Sequence, residues 1–96
     1  MDIKQEIEKI LVRILDDLDI QNPEVILEHP ADISHGDYST NIAMKYAKIL
    51  DTNPKDLAQN IIEKIGTLPY AEVNFAFPGF INFSLSNDFF KKSLKT

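Results

Sequence analysis

Val73-Asn74-Phe75-Ala76-Phe77-Pro78-Gly79-Phe80-Ile81-Asn82-Phe83-Ser84-Leu85 carries the pattern that decides the fold. Apart from the turn glycine, its odd positions are all large and apolar, whereas its even positions are Asn74, Ala76, Pro78, Phe80, Asn82 and Ser84. Successive side chains of a strand point to opposite faces, so this period of two predicts strands over 70–77 and 81–86 with the odd set buried. Directly opposed residues share a face only when the pairing parity fits. A three-residue connection, Pro78-Gly79-Phe80, meets that condition by pairing Phe77 with Ile81, Phe75 with Phe83 and Val73 with Leu85. Gly79 then takes the positive φ of the turn, and Phe80 sits at the hairpin tip on the wet side, beside Asn82. An exposed ring next to a side-chain amide is one way to hold an unpaired base, the ring stacking and the amide reading its edge. Single exposed aromatics are also ordinary on protein surfaces, so these residues alone leave both readings open.

Upstream of the hairpin the period changes to that of helices. Ile3, Ile7, Ile10, Leu11, Ile14 and Leu18 predict a first helix over about 3–18, with Asp2 as N-cap and Gln5 as its capping-box partner. Asn22-Pro23 ends that segment, and the β-branched run Val25-Ile26-Leu27 before His29-Pro30 reads as a short strand. A polar loop over 32–37 leads to a second helix on Ala43, Met44, Tyr46, Ala47 and Leu50, for which Asp37 or Ser39 is the candidate cap. Asn53-Pro54 supplies a cap and an N1 proline for a third helix on Leu57, Ala58, Ile61, Ile62 and Ile65, closed by Gly66 in a left-handed conformation. The run from Asn87 to Leu94 reads as the start of another helix.

With 96 residues, 44% of them hydrophobic, the chain has enough material for one core and too little for two ordinary domains. It has no cysteine, which excludes disulfides and thiolate metal sites, and its two histidines make a zinc site unexpected. No apolar run approaches the roughly 20 residues that span a bilayer, and the N-terminus lacks a signal-peptide core, so a cytoplasmic protein with no membrane partner is expected. The net charge of −5 speaks against a polyanionic partner until its distribution is considered. Residues 1–37 carry ten acidic and three basic side chains, residues 38–96 five acidic and seven basic. A polyanion therefore approaches the second half, unless both halves are simply solvated faces of uneven charge.

Three segments, His35-Gly36-Asp37-Tyr38-Ser39-Thr40-Asn41-Ile42-Ala43-Met44, Asn53-Pro54-Lys55-Asp56-Leu57-Ala58 and Pro78-Gly79-Phe80-Ile81-Asn82-Phe83, follow one another in a familiar order and spacing. Together they resemble the N-terminal additional domain of arginyl-tRNA synthetases. The resemblance implies an α+β domain of two layers, with about three helices packed on one face of a small, mostly antiparallel sheet that ends in a β-hairpin. It assigns residues 1–86 to that domain and 87–96 to the start of a connecting helix leading toward a catalytic domain. It also implies a tRNA-binding rather than catalytic role, in which the domain grips the outer corner of tRNA(Arg) and its D-loop. The family's aromatic and amide contacts carry over to Phe80 and Asn82, with Gly79 in the same motif. The domain itself would hold no cofactor or metal, while ATP with Mg2+ would belong to a Rossmann-type catalytic domain of the same polypeptide. Neither the HIGH-type nor the KMSKS-type signature occurs in these residues. Two features depart from the family pattern: Phe77 stands where a small residue is common, and the first helix is strongly acidic.

Tyr38 and Asn41 flank the start of the second helix and are further candidates for the tRNA-binding site, since a helix N-terminus offers free N–H groups. The plainer reading is that Asp37 caps the helix and Tyr38 packs. Ser34, His35 and Asp37 have the residue types of a hydrolytic triad, but near neighbours in one loop seldom converge as a triad must. Asp16, Asp17 and Asp19 lack the glycine and closing glutamate of a calcium loop. Lys91, Lys92 and Lys95 suit either phosphate contact or plain solubility. The alternative function is an acidic docking domain whose first helix binds a basic partner, with Phe80 as the interface anchor.

Overall fold

The protein is described here by a computed structural model covering residues 3–29 and 36–85. Its elements are α1 (Ile3–Asp17), β1 (Tyr38–Thr40), α2 (Ile42–Tyr46), α3 (Pro54–Ile65), β2 (Ala71–Ala76) and β3 (Phe80–Leu85). The three strands form an antiparallel sheet in the order β1-β3-β2. α2 packs on β3, α3 on β2 and β3, and α1 chiefly on α3, so the helices lie on one side of the sheet. This is the α+β arrangement expected.

The core forms where the helix stripes meet the odd residues of the hairpin. Ile7, Leu11, Ile14 and Leu15 of α1, Leu57, Ala58 and Ile61 of α3, and Ile42 and Ala43 of α2 are buried with Ile81 and Phe83 of the central strand. α1 ends at Asp17 through backbone bonds from Leu18 to Ile14 and from Ile20 to Leu15, with Asp19 at φ 69. α3 begins as its sequence dictates. Asn53 accepts a hydrogen bond from the Asp56 amide at 2.8 Å, Pro54 follows it, and Gly66 ends the helix at φ 70 and ψ −152, a positive-φ conformation but not the left-handed helical one.

The hairpin keeps its predicted faces and shifts its register. Phe75 pairs with Ile81, Val73 with Phe83 and Ala71 with Leu85, two residues away from the expected partners. A slip of two preserves parity, which is why the odd residues remain on the core side. The turn is Phe77-Pro78-Gly79, with a cis Phe77–Pro78 peptide, and Phe80 belongs to β3 opposite Ala76. Gly79 does not take the expected positive φ. Its backbone is instead pressed against the helix layer, where a Cβ would meet Pro54 Cβ at 2.7 Å and Met44 Cγ at 2.8 Å. Only glycine fits there without displacing a proline ring.

Two other expectations are corrected. Val25-Ile26-Leu27 forms no strand, because pairing is limited to one bridge between Glu28 and Ser39. The Glu24 amide donates instead to the Tyr46 hydroxyl at 2.8 Å, and Lys45 lies 3.3 Å from the Glu24 carboxylate. The loop before α2 contains β1, so neither Asp37 nor Ser39 caps the helix; Asn41 occupies the N-cap position without a side-chain cap bond. The Asp2 cap, Ser34, His35, the run after Ser86 and the three C-terminal lysines lie outside the described residues.

Candidate functional site

β3 is the middle strand, and its even residues face away from the helices. Ser39 and Asn74 flank Asn82 in direct register, and Ala76 is opposite Phe80. This outer face therefore carries a row of small polar groups, Ser39-Asn82-Asn74, beside one aromatic ring, with the Glu72–Ser84 pair next along the strands. Phe80 and Asn82 are two residues apart, about 7 Å along the strand, close enough for one planar ligand to meet both. Phe80 is half-buried at the edge of the row, and Asn82 retains 7% of its exposure. The ring and the amide thus share a face as the sequence indicates, but both are more enclosed than a hairpin tip allows. The residue that does protrude from the tip is Phe77, 87% exposed. The turn takes it out of the pleat, where alternation no longer assigns a face.

Asn41 shares a recess with Phe80. Ile26, Glu28, Ser39 and Thr40 complete its lining, and its volume is about 40 Å³. Tyr38 is not brought into this group: it pairs with Phe83, so it lies on the core side, packed against buried residues and against the His29 ring at 4.9 Å between centroids. Gly79 is buried in the turn behind the site. Its contribution is to let the hairpin sit tightly on Pro54 and Met44.

The Gly36-Asp37 step, whose role the sequence leaves open, fastens β1 to β3. The Asp37 amide donates to the Phe83 carbonyl at 2.8 Å and its carboxylate accepts from the Leu85 amide at 2.7 Å. Gly36 takes φ 96 so that the chain passes the Phe83 carbonyl, which a Cβ would approach to 2.8 Å. Asp37 is thereby committed to the backbone rather than to chemistry. Among the described residues no three His, Cys, Asp or Glu side chains gather where a metal ion could bind, and no helix is long and apolar enough to cross a membrane. The candidate site is a surface on which one aromatic ring lies beside amides and the Ser39 hydroxyl, an arrangement suited to a planar, hydrogen-bonding ligand. Sequence reasoning missed Ser39, Asn74 and Ile26 as its neighbours, because β1 and the bridge to Glu28 that bring Ser39 and Ile26 there leave no periodic signal.

Comparison with known proteins identifies the family of the chain. The family model for the arginyl tRNA synthetase N terminal domain matches residues 1–85. The chain is 39% identical over 92 residues to an arginine–tRNA ligase of Bacillus licheniformis, covering 94% of this chain and 16% of that protein. It is 48% identical over 67 residues to the enzyme of that name from Geobacillus thermodenitrificans, covering 68% of this chain and 12% of the relative. Among solved structures, the arginyl-tRNA synthetase of Plasmodium falciparum superposes with a TM-score of 0.77 at 28% identity, over 97% of this chain and 18% of that one. The Thermus thermophilus arginyl-tRNA synthetase shares the fold, with a TM-score of 0.75 at 18% identity, over 93% of this chain and 15% of that one. The chain thus spans less than a fifth of the length of these relatives.

Proposed function

Because the chain belongs to the arginyl tRNA synthetase N-terminal domain family, we propose that it is the tRNA-recognition module of an arginine–tRNA ligase, holding the D-loop at the outer corner of tRNA(Arg). The observation that carries this reading is the placement of Phe80 and Asn82 on one sheet face, away from the core, within a row of amides and hydroxyls. Phe80 stacks on an unpaired D-loop base and Asn82 hydrogen-bonds to its edge. Asn41, at the border of the same recess, is a further contact. The domain contributes affinity and orientation only. Joining arginine to tRNA with ATP and Mg2+ belongs to a catalytic domain of the same polypeptide, in the cytoplasm.

Magnitudes set the scale of the effect. Stacking contributes about 1–3 kcal/mol per base and a hydrogen bond about 0.5–1.5 kcal/mol net, together the free energy of roughly a millimolar complex. The 96-residue chain should bind tRNA weakly by itself, and the larger consequence appears in the enzyme that carries it. Phe80→Ala should raise the KM for tRNA about tenfold, a loss of about 1.4 kcal/mol, while arginine activation by ATP is unchanged. An unaltered KM removes Phe80 from this role. Changing the D-loop base should have no additional effect in the Phe80→Ala protein; a docking domain for proteins would not respond to that base at all.

A further inference from the structure

We infer that Ile26, Ser39 and Asn41 form a slot for the edge of the nucleobase stacked on Phe80, and that Ile26 limits the size of the base edge it accepts. This rests on the proposed tRNA reading and adds a specificity determinant to it. Ile26 is 49% exposed, whereas Leu27 beside it is buried and Val25 packs against the core. An isoleucine in water on a loose segment is unremarkable, but this segment is fastened at both ends. The Tyr46 hydroxyl accepts from the Glu24 amide at 2.8 Å and Lys45 pairs with its carboxylate. At the other end Glu28 and Ser39 exchange two backbone hydrogen bonds of 2.9 and 2.8 Å. Ile26 is thus a positioned apolar wall of the recess that also contains the Phe80 ring.

The polar groups beside that wall are available to a ligand. Both backbone groups of Ser39 are engaged by Glu28, which leaves its hydroxyl as the group it can offer, and Asn41 makes no side-chain bond in capping α2. A hydroxyl both donates and accepts, and an amide has one accepting and two donating positions, which suits the mixed edge of a nucleobase. The recess, at about 40 Å³, is larger than the 10–15 Å³ a water needs and too small for a whole base. It admits an edge or an exocyclic group while the ring stays over Phe80. Ser39 and Asn41 then select by hydrogen bonding, and the isoleucine adds a limit on size, since one group too many or too few at an apolar wall changes binding by about tenfold or more.

The test uses the 96-residue chain labelled with ¹³C in its isoleucine δ1 methyls and in its phenylalanine rings, titrated with a synthetic RNA hairpin of the tRNA D-arm. The Ile26 methyl and the Phe80 ring should shift together, with the buried Ile7 and Ile14 of α1 unmoved. Ile26→Ala should weaken binding about threefold to tenfold and reduce the preference among hairpins that differ in one loop base. If the Phe80 ring shifts while Ile26 stays and Ile26→Ala binds unchanged with its base preference intact, the slot is refuted and the stacking reading stands. If the hairpin moves neither, or fails to bind at millimolar concentration, both are refuted.

Discussion

Thr40 shows how single residues in this fold separate packing from function. Its hydroxyl is enclosed on the core side of β1, 2% of the residue remaining exposed, and Oγ1 has no hydrogen-bond partner. An unpaired buried hydroxyl costs roughly 1–3 kcal/mol, so Thr40→Val, which keeps the shape and removes the polar atom, should stabilise the protein by about 1 kcal/mol. Urea unfolding midpoints at equal m-value measure it, and a destabilised variant would mean that the hydroxyl has a partner. Phe77 and Phe80 make the complementary point. Both are phenylalanines of one hairpin, three positions apart, yet one projects into solvent and the other lines a recess of the sheet. Period two distinguishes faces only within the pleat, so it placed Phe80 correctly on the outer face and Phe77 wrongly on the inner one.

The elements differ in how much of themselves they carry in sequence. α3 is self-contained: cap, N1 proline, apolar stripe and closing glycine all occur locally, and the helix begins and ends at them. β1 is the opposite case. Its three residues make a strand because β3 supplies a partner, and because Asp37, outside the ladder, fixes its start to the far end of β3. Asp37→Ala should therefore cost about 1 kcal/mol, leaving the Leu85 amide without its acceptor, whereas Asp37→Asn, which keeps a side-chain oxygen, should retain most of that stability. Chemical denaturation of the pair separates an acceptor role from a purely electrostatic one. Equal losses in both would favour the charge.

At the scale of the molecule, the stacking order of the layers reconciles an acidic chain with the proposed RNA partner. α1, the acidic helix, packs on α3 and so lies across the sheet from the outer face that holds Phe80 and Asn82. Residues 36–85 contain four lysines against five aspartates and glutamates, and Glu28 lines the recess beside Phe80, so binding through the outer face releases few counterions. The logarithm of RNA affinity should accordingly fall against the logarithm of salt with a slope no steeper than about −2; a steeper slope would assign the affinity to lysine–phosphate contacts. Packing also sets an alkaline limit on stability. Burial pushes the Tyr70 phenol above 10.0, and the nearby Glu6 adds to the shift. Below that pH the phenol is protonated in both states and its contribution is fully present. As pH rises past 10.0 the unfolded chain ionises first and binds fewer protons than the folded one, so stability falls until the folded phenol ionises too. Tyr70→Phe should flatten the decline in Tm between about pH 9 and pH 11.

What the sequence determined by itself was everything governed by short-range periodicity and local capping: two amphipathic helices close to their observed limits, the inward and outward sets of the hairpin, and the motif order that marks the family. Ring and amide were placed on one face for the same reason, since parity survives a register slip of two. Tertiary structure decided what depends on distant partners. The hairpin register is adopted with Gly79 seated against Pro54 and Met44, residues far from it in sequence. β1 exists through pairing with β3, and the Val25–Leu27 segment is held by a tyrosine of α2 in place of a ladder. Such contacts join residues tens of positions apart. No local spacing encodes them, because their energy arises only when the helices close over the sheet.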